Sequence, residues 1–129
     1  MSIAAALKPC RGRNTMGNRM YPPITRDLAR ERRALVPKTE AAFDIFSQTA
    51  FADGALSVKM KQVIAVAVAH AALSPYAIKG HTQDALHAGA TREELMEAIW
   101  VAAEVLAGGV AAHAALAIDV FDEDPADRT

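Results

Sequence analysis

Sulfur chemistry is almost missing from this chain. Its 129 residues include one cysteine, Cys10, so no internal disulfide can form and no cysteine cluster can hold a metal. Charge of one sign is missing too. Lys and Arg number 14 against 15 Asp and Glu, and so balanced a chain is not drawn to nucleic acid by bulk charge. Aromatic residues are only 5%, which leaves small aliphatic side chains to fill the interior. No apolar run reads as a convincing membrane span. Lys8, Arg11, Arg13 and Arg19 follow only a short alanine-rich stretch, a poor signal peptide, so cytoplasm is the default compartment. The four histidines, His70, His81, His87 and His113, include no pair four residues apart on one helix face. No metal and no other cofactor is expected from them.

What is present is helix. Hydrophobic residues make up 52% of the chain, alanine and valine prominent among them, and no strand-like alternation competes. The expected organisation is a flexible leader over 1–20, one all-α domain over 21–122 and a flexible acidic tail over 123–129. Thr25 is placed to cap a short charged helix, Arg26 to about Ala34. After Pro37, a second helix carries Ala42, Phe43, Ile45, Phe46 and Thr49 at the spacing of one buried stripe. Asp53-Gly54 breaks it. Ser57 caps a third helix that is apolar all round from Val63, as a central helix is. Ser74-Pro75 opens a fourth, with Ser74 as N-cap and Pro75 in the first turn, and Gly89 suits its left-handed end. Thr91 and Glu94 form a capping box for a fifth, with Leu95, Ile99, Ala102 and Leu106 as its stripe. Gly108-Gly109 is expected to interrupt that helix, giving a sixth from Val110 to about Phe121, so the bundle has about six helices.

The stretch from Gln62 to His81 organises the rest. Two helices meet at Leu73-Ser74. Ser74 and Ala77 lie in the first turn of the second helix, where the helix dipole favours negative charge, and His81 follows Ala77 by one turn on the same face. This spacing resembles the AhpD-like alkylhydroperoxidase and carboxymuconolactone decarboxylase family. Its redox branch carries Glu, eleven residues, Cys, two residues, Cys, three residues, His, a pattern that falls here on Gln62, Ser74, Ala77 and His81. The frame agrees at Lys61-Gln62-Val63-Ile64-Ala65-Val66-Ala67, at Pro75-Tyr76, and at Gly89-Ala90-Thr91-Arg92-Glu93-Glu94, its most specific phrase. The likeness runs from about Pro37 to Ile118.

The resemblance implies an AhpD-like helical bundle and a peroxiredoxin-type, thiol-dependent antioxidant oxidoreductase that reduces peroxide or disulfide. Of the four motif positions only His81 is retained. A thiolate near a helix N-terminus attacks and its partner resolves the product. Ser74 is a poor nucleophile without an adjacent base and Ala77 has no reactive group. Thiol peroxidase activity is therefore not expected, and Gln62 in place of glutamate indicates that divergence extends beyond the thiols. Ser74 has the ready explanation of an N-cap. His81 is a general acid or base, a ligand contact, or a structural hydrogen-bond partner. His70 reads first as a hydrogen-bonded core histidine, and His70, Tyr76 and His113 are further pocket candidates. Trp100 and Tyr76 read as core or interface residues.

Three functions remain open: a scaffold of the redox branch without its thiols, a cysteine-independent lyase of the decarboxylase branch that uses His81, and a non-catalytic oligomeric binding protein. All three imply a small-molecule substrate or ligand. The family resemblance further implies a homo-oligomer, trimer or hexamer, with no nucleic acid and no membrane as partner.

Overall fold

Hydroxyl side chains start three of the helices. In the computed structural model, which describes residues 20–123, Thr25 Oγ1 accepts from the Leu28 N–H at the head of α1 (Arg26–Leu35). Ser57 Oγ accepts from the Met60 N–H at the head of α3 (Val58–Ala71). At the head of α5 (Arg92–Glu123), Thr91 Oγ1 accepts from the Glu94 N–H at 3.1 Å while the Glu94 carboxylate accepts from the Thr91 N–H at 2.7 Å. This is the expected box, and it satisfies two N–H groups that lack a partner within the helix. α2 (Pro37–Phe51) and α4 (Pro75–His87) begin instead on proline, which has no N–H to leave unpaired there. The expected leader and tail lie almost wholly outside the described residues.

α3 is the central helix, as its apolar sequence predicts, and packs along both α4 and α5. The core they share consists of Val66, Ala85, Ala90 and Leu95, with Val63 and Ile99 packed against it. Alanine at two of these positions lets the helices approach closely.

Two helix ends close in the same way. At the end of α4, Gly89 has φ +91, its N–H donates to Leu86 O, and the Ala90 N–H reaches back to Ala85 O. That is a Schellman turn with glycine at its left-handed position. At the end of α3 the Leu73 N–H donates to His70 O and the Ser74 N–H to Ala69 O. The left-handed residue there is Leu73, φ +52, a conformation that a Cβ makes costly. This turn sets the angle at which α4 leaves α3.

Two expectations are corrected. Gly108-Gly109 does not divide α5, so the described residues form five helices and not six. Glycine weakens a helix by only about 1 kcal/mol relative to alanine, and the residues on both sides are helix formers with no competing turn. The stripe on α2 is not buried by its own chain. Phe43, Ile45 and Phe46 are 61%, 66% and 68% exposed, because α2 touches α1 and α3 only lightly and no other described element covers it.

Candidate functional site

The junction of α3 and α4 brings two motif residues together across the helix pair. Gln62, in the second turn of α3, is the one buried polar residue among those described. Its Oε1 lies 2.9 Å from Nδ1 of His81 on α4. An amide oxygen only accepts, so Nδ1 carries the proton and, in the neutral ring, Nε2 presents a lone pair. The Phe51 ring lies 5.2 Å from the imidazole at an interplanar angle of 22°. One hydrogen bond and one stacked ring thus fix the orientation of His81.

The imidazole stands at the wall of a pocket of about 650 Å³ between the end of α2, α3 and the start of α4. Ser74 and Ala77 line it beside His81, so three of the four motif positions face one space and the fourth, Gln62, supports it from behind. The remaining lining is aliphatic, with Leu56, Ile64, Val68 and Ala69 prominent. Lys61 brings the one cation of the lining, but its Nζ donates to Ala50 O at 2.9 Å and to Ala52 O. Those are carbonyls at the C-terminal end of α2, where a positive charge is favourable, so Lys61 fastens α2 to α3.

Ser74 departs from its expected role. It occupies the N-cap position of α4, yet its side chain accepts no N–H of the first turn. Its backbone arrives through the left-handed Leu73, and its own φ of −102° and ψ of 95° differ from those at Ser57, which does cap. Ser74 lines the pocket without capping α4.

The other candidates lie apart. His70 is half-buried, with Nδ1 2.8 Å from Val66 O, in keeping with a hydrogen-bonded structural histidine. It borders a shallow groove with Ile78, Thr82 and Leu86, not the His81 pocket. The Tyr76 hydroxyl donates to Pro22 O at 2.7 Å and its ring meets Tyr21 edge to face, so it anchors the segment before α1. His87 and His113 are exposed, as is Trp100. Among the described residues no group of His, Cys, Asp and Glu gathers to hold a metal. Sequence reasoning missed Phe51 and Lys61. Both act through the relation of α2 to α3, and neither carries a local signal of it.

A family model for carboxymuconolactone decarboxylases matches residues 37–119. The chain belongs to that family. An uncharacterized protein from the cox locus of Paracoccus denitrificans is 55% identical over 82 residues, spanning 64% of this chain and 74% of the relative. An uncharacterized protein of Cupriavidus necator is 35% identical over 86 residues, or 67% of this chain and 76% of its own length. The crystal structure of a carboxymuconolactone decarboxylase family protein from Legionella pneumophila superposes with a TM-score of 0.60 at 35% identity, covering 75% of this chain and 87% of that one. A protein from Methanobacterium thermoautotrophicum gives 0.61 at 31% identity, covering 64% and 93%. The all-helical fold is thus the family's fold.

Proposed function

We propose that this chain is a thiol-independent member of the carboxymuconolactone decarboxylase family. It takes a small, mostly apolar molecule into the pocket between α2, α3 and α4 and uses His81 to move a proton on it. The observation that supports this most is the Gln62–His81 hydrogen bond, which fixes the imidazole through Nδ1 at the wall of a largely apolar pocket. Orientation by an acceptor at Nδ1 is what a histidine needs to act as general acid or base.

Peroxide or disulfide reduction of the antioxidant type has less support. It needs sulfur in the first turn of α4, where this chain has Ser74 and Ala77. The hydrogen bond of His81 goes to Gln62, and Ser74 makes none with it, so the hydroxyl has no base to activate it. A lyase step next to a carbonyl needs one proton-transfer group and no redox partner, which suits the residues present. Because Lys61 is committed to backbone carbonyls, a substrate carboxylate is expected at the pocket mouth and not within. The aliphatic wall equally favours a second reading, binding without turnover. Solved family members support a soluble helical protein.

The test compares the parent with His81→Ala and with Ser74→Cys/Ala77→Cys. Each is given an organic hydroperoxide with a dithiol, and separately a small lactone carboxylate. The expected result is no peroxide reduction by the parent and lactone turnover that His81→Ala abolishes. Saturable binding of an apolar probe with no turnover favours the binding reading. Peroxide reduction by the parent overturns both.

A further inference from the structure

We propose that the groove between α4 and α5 is a second ligand site, separate from the His81 pocket, and that it takes a free medium-chain alkyl carboxylate with its head on Arg92. The two helices each pack along α3 but touch one another little. They leave between them a hollow of about 410 Å³ that shares no residue with the His81 pocket. Ile78 and Leu86 of α4 wall it on one side, and Leu95, Met96 and Ile99 of α5 on the other. A cleft of this size, mostly apolar with a few polar groups, is the usual form of a small-molecule site.

The polar groups are spaced so that one end suits an anion and the other does not. α3 ends at Ala71 and α4 begins at Pro75, so His70 and Ile78 lie at one end of the groove. α4 ends at His87 and α5 begins at Arg92, so Leu86 and Arg92 lie at the other. At the first end, His70 uses Nδ1 on Val66 O, and a neutral ring then has only the Nε2 lone pair left, which repels a carboxylate. At the second, Arg92 brings a guanidinium, which only donates. No Asp or Glu lines the groove, and among the described residues no carboxylate pairs with Arg92. Glu94, in the same turn of α5, is taken by Lys59 and by the Thr91 N–H.

These features select the ligand. A guanidinium fork matches the two oxygens of a carboxylate. A phosphate monoester, with close to two negative charges, calls for a second cation, and the lining holds no Lys and no further Arg. From Leu86 back to Ile78 the groove follows α4 for about 12 Å, the reach of an extended alkyl chain of medium length. The wall along that path is apolar apart from Thr82. Leu86 and Met96 are 43% and 56% exposed, so a chain laid there covers apolar surface that this protein leaves open to water. The groove is shallow and its cation is exposed, which makes this a site of modest affinity. It rests on none of the chemistry assigned to His81.

The test is a titration of isoleucine-methyl-labelled protein with octanoate, kept below the concentration at which it forms micelles and followed by NMR. The methyl groups of Ile78 and Ile99 report on this groove and that of Ile64 on the His81 pocket. The expected result is saturable shifts at Ile78 and Ile99, with octanol and octylammonium binding there more weakly. Arg92→Gln should weaken octanoate by roughly threefold to tenfold and leave octanol unchanged, while Arg92→Lys should keep most of the affinity. Arg92 is exposed, so neither substitution disturbs the core. Shifts confined to Ile64 overturn the proposal, because octanoate would then be a ligand of the His81 pocket alone. Equal affinity of octanoate for the parent and for Arg92→Gln overturns it by removing the carboxylate contact. No response at Ile78 and Ile99 at any concentration overturns it as well, and is what a groove covered by another chain would give.

Discussion

Gln62 and His81 are held 2.9 Å apart across the α3–α4 pair, the amide oxygen against Nδ1. The buried amide sits on the central helix and the imidazole at the pocket wall, so Gln62 positions the ring of His81. Replacing Gln62 with leucine keeps the volume and leaves the imidazole N–H facing hydrocarbon. The variant should lose about 1–3 kcal/mol of stability, measured by urea unfolding. Any turnover that depends on His81 should fall more steeply than the affinity for an apolar probe, since the aliphatic wall is untouched.

Ser57 and Ser74 occupy equivalent positions before α3 and α4, yet only Ser57 uses its hydroxyl as a cap. Ser57→Ala should cost about 1 kcal/mol. Ser74→Ala should stay within about 0.5 kcal/mol of the parent. Equal losses in thermal or chemical unfolding would show that Ser74 caps in solution.

Leu73 and Gly89 stand at the left-handed position of the same kind of turn. Gly89→Ala should destabilise by about 1–2 kcal/mol, because the Cβ is penalised by the backbone itself; it would meet no other atom within 4 Å. Leu73→Gly should gain part of that amount, since the leucine side chain is 84% exposed and has little packing to lose. The opposed signs are read from paired unfolding midpoints.

Glu94 carries a pH dependence whose sign follows from its contacts. The Lys59 ammonium donates to its carboxylate at 2.7 Å and the Thr91 N–H donates to it as well, and together they hold its pKa below the ordinary 4.5. A carboxyl with a depressed folded pKa contributes stability above its ordinary value and loses it as pH falls through the depressed one. The thermal midpoint of the parent should therefore drop further between about pH 7 and about pH 3 than that of Glu94→Gln, with the two converging at the acid end.

Helix starts were legible because hydroxyl, proline and Thr-x-x-Glu signals act over one turn. Thr25, Ser57 and Thr91 cap as their sequence context predicts. The motif positions were legible because one helical turn relates Ala77 to His81. Three features were not. Leu73 fills a position that favours glycine, so nothing local marks the left-handed turn there. Gly108-Gly109 reads as a break, yet glycine permits helix wherever no competing turn is present. The α2 stripe has the spacing of a buried face, but spacing records that a face is apolar and not which chain covers it. Phe51 and Lys61 were missed for a related reason: each matters through a neighbouring helix that its own surroundings do not identify.

Lys61 joins α2 to α3 with a single ammonium, and within one chain α1 and α2 bury no side chain. In an isolated protomer that hairpin is a separate cooperative unit of low opening energy, while α3 and the base of α5 open only with the whole domain. Amide hydrogens along α2 should therefore exchange with solvent far sooner than those around Val66, and the lifetime of the Phe51–His81 stack should follow the faster of the two rates.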